Sequence, residues 1–388
     1  MNNSGRHKVL FLASWFPNRL DPFLGNFVER HALAVSEYAD VASLFVCSDS
    51  NLKGKKIDIE IKSEGGVFSV NVYYKKIRNS IPVISQMQKF LRNRKAHDIG
   101  YKKIQKHFSG HPDIVHLNVA FPSGLFAMRL KKKFNLPYIL TEHSTLYHLY
   151  MSTKESHFTK KICNESKLIC PVSNDLRKVM EKKGFGKKFE VVSNVVDTDL
   201  FQISKNKKRE KKKILHISTL KDWQKNVSGM LRVIKKLSET RNDFELHIIS
   251  DGDLALATKL SEEYNLLGTA IFIYPEQPIE KIAEMMRESD FFLLFSNFEN
   301  LPCVIIEALA SGIPIVSSNV GGIPELVNEK NGMLVNPKDD SALFDKINSM
   351  LDKFNAYDKN ELRKFAVDNF SYSVVGKKFC DIYTRFIK

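Results

Sequence analysis

Two carboxylates eight positions apart, Glu299 and Glu307, stand in a stretch, residues 291–327, that is otherwise mostly apolar, small or glycine. Residues 291–295, FFLLF, are a wholly apolar run of strand length, Pro302 is the favoured first residue of a helix, and Gly312 followed by Pro314 stops it. The order reads strand, loop, helix, strand, glycine loop, helix. Glu299 then lies in the loop before the first helix and Glu307 more than a turn inside it, so both face one crevice from different heights. At the helix opening, Asn300, Leu301, Pro302 and Val304 present backbone N–H groups without intrahelical acceptors, Pro302 contributing none, at the positive end of the helix dipole. Residues 320–324, VGGIP, repeat the arrangement. Two such termini suit a diphosphate, and Glu307, set back from the anion, suits a pair of sugar hydroxyls, as an acidic residue does for ribose in dinucleotide sites.

A Glu on a helix is by itself a solvated side chain, and Gly-Gly by itself a turn; the joint order points to chemistry. Glu299, seven residues, Glu307, then Gly321-Gly322-Ile323-Pro324-Glu325 resembles the donor-site signature of retaining nucleotide-sugar glycosyltransferases of family 4, which have the GT-B fold. The resemblance implies an α/β chain of two facing Rossmann-like, doubly wound domains with the site in an interdomain cleft. It implies transfer of a hexose-type sugar from a UDP- or GDP-sugar with retention, Glu299 and His143 contacting the transferred sugar and Glu307 the donor ribose.

Lys225 follows the strand-like KILHIS after the loop TLKDWQ, where a cation meets the diphosphate from the side opposite the helix terminus. Where the family usually has Arg this chain has Thr219, and Asn226 replaces the usual Gly. Either Lys221 restores the lost charge or the site binds diphosphate less tightly. His143 ends the run PYILTE, at the carboxyl end of a strand, where ligand-contacting residues gather. In the first loop Gly25 lets backbone approach a ligand, and the N–H groups of Asn26 and Phe27 are positioned to complete a phosphate shell. Asp251-Gly252-Asp253 and Asp197-Thr198-Asp199 imitate a metal-binding Asp-x-Asp but read as turns. No metal and no cofactor beyond the donor is expected, because helix termini and Lys225 neutralise the leaving diphosphate.

Positioning these residues requires two parallel sheets. The first half alternates apolar runs (KVLFLAS, VASLFV, DIVHLN, PYILTE, LICPVS) with helical periods; residues 51–76 are less regular and suit a hairpin or edge strands. The polar, basic run 202–213 is a linker composition and separates domains 1–203 and 204–371. After it the alternation restarts, with Val227, Met230, Leu231, Ile234 and Leu237 on one helix face. The resemblance implies that a last helix, 372–388, packs back on the first domain.

The length of 388 residues accommodates two such cores, and 43% hydrophobic with 27% charged residues describes a globular chain. Five scattered cysteines without CxxC spacing fit a reduced cytosol, and no apolar run reaches the roughly eighteen residues of a membrane span. The net charge of +15 is uneven: residues 1–200 hold 32 Lys plus Arg against 18 Asp plus Glu. Residues 82–108 mix Ile84, Met87 and Leu91 with seven Lys/Arg, a pattern suited to an anionic membrane surface or to a core-covering helix with a solvated face, interrupted at Asp98 and Gly100. A basic first domain fits a polyprenyl-diphosphate-linked or other glycan acceptor in capsule or O-antigen assembly, with the protein cytoplasmic or peripheral on the inner membrane face. Nucleic-acid binding lacks aromatic interleaving or a recognisable module. A GT-B partner subunit of weakened catalysis stays open, Thr219 being its hint.

Overall fold

The computed structural model describes residues 5–76, 82–147, 153–204 and 210–387; the basic centre of the expected linker, 205–209, lies outside them. The chain divides into two compact units, Met1–Val195 with Tyr372–Lys388 and Val196–Ser371.

In the first unit, β1 (Lys8–Ala13), α1 (Asn26–Ser36), β2 (Asp40–Asp49), β3 (Ile57–Glu64), β4 (Val67–Lys75), α2 (Pro82–Phe108), β5 (Ile114–Asn118), α3 (Gly124–Phe134), β6 (Tyr138–Glu142), α4 (Thr153–Glu165), β7 (Ile169–Pro171) and α5 (Asn174–Lys182) follow one another. The seven strands lie in the order β3-β4-β2-β1-β5-β6-β7, all neighbours parallel except β3 and β4. The irregular segment is therefore an antiparallel edge hairpin. Helix α2 is continuous through Gly100, because a Cβ there would lie 2.4 Å from Leu44 and 2.9 Å from Val72; the glycine is a packing contact and interrupts nothing. Helix α4 was not expected: its sequence is polar, and its buried face is little more than Thr159, Ile162 and Cys163.

The second unit contains β8 (Lys212–Ile217), α6 (Asp222–Lys225), α7 (Val227–Ser238), β9 (Phe244–Ser250), α8 (Ala255–Glu263), β10 (Ile271–Pro275), α9 (Ile279–Arg287), β11 (Phe291–Leu294), α10 (Cys303–Ala310), β12 (Ile315–Ser318), α11 (Ile323–Leu326), β13 (Gly332–Val335), α12 (Asp340–Lys353) and α13 (Lys359–Phe370). Its six strands are all parallel, in the order β10-β9-β8-β11-β12-β13. The apolar stripe of α7 is wholly buried, as its 3.6-residue period requires. The division falls after Val195 and not after 203, for a reason of hydrogen bonding: Val196 N–H donates to the Phe370 carbonyl at 2.9 Å, and the Arg363 guanidinium donates to the carbonyls of Thr198 and Phe201 at 2.7 and 2.5 Å.

The last helix, α14 (Tyr372–Thr384), belongs to the first unit and lies against α1. Its Val375, Phe379, Ile382 and Tyr383 join the core of β1, β2 and α1, and the Tyr383 hydroxyl reaches His116 Nδ1 at 2.6 Å. Gly376 makes the approach possible, since a Cβ there would lie 2.1 Å from the Ala34 carbonyl oxygen. Among the described residues no helix is long and apolar enough to cross a membrane.

Both cores bury neutral histidines. Burial lowers His31, His97 and His216 from 6.5 to about 4, and holds His116 well below the usual imidazole value. Two predictions follow from this packing. Gly376→Val forces α14 off α1 and lowers stability by about 1–3 kcal/mol, read as a fall in the thermal midpoint; an unchanged midpoint contradicts the close approach. Between pH 6.5 and 4 the unfolded chain binds protons that the folded histidines refuse, so stability rises with pH across that window and is lost on acidification. The unfolding free energy read from urea titration falls from pH 7 to 5 by an amount on the order of 1–2 kcal/mol per buried histidine, and the urea midpoint falls with it. Equal midpoints at the two values would contradict the burial.

Candidate active site

In a parallel sheet the strand order reverses at one place, and the loops leaving the two flanking strands diverge to form a crevice at their carboxyl ends. In the second unit that place lies between β8 and β11. The loop after β8 carries Thr219 and Lys225, and the loop after β11 carries Glu299 and Asn300.

The two loops are stitched together. Asn297 N–H donates to the Gln224 carbonyl at 2.7 Å, and the Asn297 amide donates to the Trp223 carbonyl at 3.1 Å. Lys225 Nζ donates to Glu299 Oε1 at 2.5 Å, with the two side chains only 13% and 7% exposed. Ser296 Oγ donates to the same oxygen at 2.7 Å. A charge pair this far from water depends on further hydrogen bonds, and Ser296 adds one to the carboxylate. Bringing Lys225 here strains the backbone: Leu220 has φ +52° and Asn226 +48°, both in the left-handed region. Thr219 is half-buried, its Oγ1 without a partner among the described residues, while Lys221 is exposed.

Helix α10 begins one residue later than its proline suggested. Pro302 has ψ 118° and caps the helix, so Cys303 is the first helical residue and Val304 the second. Asn300 and Leu301 are buried, Pro302 and Val304 half-buried, and Glu307 is buried on the second turn. The glycine loop differs from expectation in its role. It opens only a four-residue helix, Ile323–Leu326, and Gly322 N–H is already spent on the Asn300 carbonyl at 2.7 Å. Gly321, at φ +56°, lets the Glu299 carbonyl approach to where a Cβ would clash at 2.0 Å. The loop is thus a platform for residues 299 and 300.

The other expected residues belong to the first unit. Gly25, at φ +69°, caps α1 and packs against the Trp15 carbonyl. Asn26 N–H donates to the Phe23 carbonyl at 3.3 Å, so it is engaged within its own turn and not held open for a phosphate. Phe27 carries this turn to His143, with ring centroids 4.4 Å apart, and His31 lies at 5.4 Å. His143 is 8% exposed; burial, with the neighbouring His31 and His116, holds its pKa well below the usual imidazole value against an Asn194 hydrogen bond. It is a neutral ring at pH 7.

Two participants carried no signal in the sequence. Ser296 is an ordinary serine until the loop folds it onto Glu299. Glu142 is fully buried and accepts the N–H groups of Ala120, His143 and Ser144 at 3.0, 3.0 and 3.1 Å and the Tyr147 hydroxyl at 2.9 Å. It thereby fixes the backbone that presents His143, and burial pushes its own pKa up. The Asp-x-Asp imitations form turns: Asp197 Oδ1 accepts from Asp199 and Leu200, and Asp253 Oδ1 from Ala255. Among the described residues no three His, Cys, Asp or Glu side chains converge as a metal-ligand set.

Residues 197–364 match the family of glycosyl transferases group 1, and residues 55–200 match glycosyltransferase family 4. A Bacillus subtilis glycosyltransferase named for teichuronic acid biosynthesis, TuaC, is 25% identical over 284 residues, 71% of this chain and 69% of its own. Sucrose-phosphate synthase from Thermosynechococcus elongatus shares the fold with a TM-score of 0.76 at 17% identity, over 98% of this chain and 99% of its own. Anabaena HepE, solved in complex with UDP-glucose, gives 0.71 at 15% identity, over 98% and 100%. With two Rossmann-like domains matched by two adjoining family models, the chain is a family 4-type glycosyltransferase of the GT-B fold.

Proposed function

We propose that this enzyme moves a hexose-type sugar from a UDP- or GDP-sugar to a glycan or lipid-linked glycan acceptor, with retention of anomeric configuration, in surface-polysaccharide synthesis. The observation that carries the reading is the Lys225–Glu299 pair at the strand-order reversal, beside the opening of α10. A partly desolvated ammonium group and the N–H groups of Leu301, Cys303 and Val304 suit the donor's diphosphate, where charge-assisted bonds gain most. Glu307, one turn further in, suits the ribose hydroxyls. Glu299 is assigned to the transferred sugar, the role that the family resemblance also gives the neutral His143. In the retaining course the bond from the anomeric carbon to the diphosphate oxygen breaks, and that oxygen takes the proton of the incoming hydroxyl as its oxygen bonds to the same face. Lys225 and the helix terminus stabilise the charge that collects on the leaving diphosphate, without calling on a metal.

HepE, solved with UDP-glucose, supports a nucleotide-sugar donor, and the naming of TuaC for teichuronic acid synthesis supports a polysaccharide product. Met87, Phe90 and Leu91 are more than half exposed on α2 beside Lys89, Arg92, Arg94 and Lys95, which supports contact with an anionic membrane surface.

Lys225→Ala is expected to weaken UDP or GDP binding by calorimetry about tenfold to a hundredfold, the loss of one charge-assisted bond; unchanged affinity for both nucleotides removes Lys225 from the site. With radiolabelled UDP- and GDP-sugars, Glu299→Gln and Glu307→Ala are each expected to lower transfer at least tenfold, and wild-type rates in both would refute the assignment.

A further inference from the structure

The first unit holds a pocket, open to solvent, between the first half of α2 and the first turns of α3. Helix α2 runs back to the start of β5, so its first half lies toward the carboxyl ends of the strands, the ligand-binding edge of such sheets. The α3 side is tied to that edge. Ser123 Oγ donates to the Ala13 carbonyl at 2.8 Å, Ser123 N–H donates to Ser14 Oγ at 3.0 Å, and Ala120 N–H donates to the same Glu142 that fixes His143.

Phe90, Pro122 and Phe126 give the pocket an apolar wall, Arg94 and Arg129 give it a cationic rim, and no carboxylate lines it. Arg129 lies over the Phe126 ring, 4.7 Å from its centroid, and pairs with Asp98 outside the lining. One carboxylate thus stands against two guanidinium groups close enough that Arg94, after burial, lowers the pKa of Arg129. An anion between them relieves that repulsion. His97 closes the inner wall. Its Nδ1–H donates to the Asn93 carbonyl at 2.9 Å, and its buried Nε2 has no partner among the described residues. Neutral at pH 7, the ring offers Nε2 as an acceptor only.

We propose that this pocket binds an anionic sugar unit of the acceptor, its ring against Phe90 and Phe126, its carboxylate or phosphate on Arg94 and Arg129, and one hydroxyl donating to His97 Nε2. The inference rests on the reading that this enzyme glycosylates a glycan acceptor, and it names that acceptor's chemical class. A bare phosphate satisfies the rim but not the wall; a neutral sugar satisfies the wall but leaves the guanidinium groups unmatched.

The test is a ligand-observed NMR titration of the full chain, without donor, using methyl glucuronide, glucose 6-phosphate, methyl glucoside and inorganic phosphate, with UDP binding followed in parallel by calorimetry. At least one anionic sugar is expected to bind ten times more tightly than methyl glucoside and inorganic phosphate. Arg94→Ser and Arg129→Gln are each expected to erase that advantage while UDP affinity holds. Preference for glucose 6-phosphate identifies a phosphate-bearing acceptor, as a lipid-linked sugar would be, and preference for the glucuronide a carboxylate-bearing one; either supports the proposal. Equal binding of charged and neutral sugars, or an advantage that survives both substitutions, overturns it. Failure of UDP to bind the wild-type chain would count against the donor reading instead, leaving the pocket's selectivity to be judged separately.

Discussion

A buried ammonium ion cannot stand alone in a protein, and that constraint organises the second unit. Lys225 is held 2.5 Å from Glu299, and the surrounding backbone serves this contact. Leu220 and Asn226 accept left-handed conformations to bring Lys225 inward, Ser296 satisfies the carboxylate, and Gly321 vacates the space that the Glu299 carbonyl needs. The strained loop is tolerated because β8 and β11, at the centre of a parallel sheet with Phe291 to Leu294 buried, over-determine where its ends lie. The Lys225 cation is thus electrically balanced by a carboxylate of its own unit and held in one place by it.

The first unit solves a related problem with neutral groups. Its histidines are stripped of water, and burial keeps them uncharged. Glu142, beside His143, has four hydrogen-bond donors around it, as a buried acid requires. The loops leaving β5 and β6 meet on that carboxylate, so His143 and the first turn of α3 are set by one residue. The unit is completed by α14, which arrives from the far end of the sequence; its Tyr383 hydroxyl satisfies the ring of His116 at the sheet's centre.

Most of the excess positive charge belongs to the first half of the chain. A large part of it lies along α2, whose buried side packs on β2 and β4 through Gly100 while its exposed side mixes arginine, lysine and large apolar groups. One helix therefore serves as a core element at its second half and as a wall of an amphiphilic pocket at its first. The division of labour follows from length, since the 27 residues of α2 span about 40 Å and the strands it covers, of nine and ten residues, about 30–33 Å.

Local chemistry was enough to reveal the alternation of strand and helix and the amphipathic face of α7, because periodicity, a proline at a helix start and a glycine at its end act over a few residues; the family was legible through the resemblance carried by Glu299, Glu307 and the turn 321–325. Sequence-distant partners were not legible. Nothing near Lys225 says that Glu299, 74 positions on, neutralises it, and nothing in VGGIP says that Gly322 spends its N–H on Asn300. The polar α4 escaped because its burial depends on neighbours from other elements and not on its own pattern, and the unit boundary shifted to Val195 because Arg363 and Phe370 claim residues 196–201. Residue types and spacing determined which groups were able to do chemistry; the packing of distant segments alone decided which of them are charged, which are already bonded, and which remain to meet a ligand.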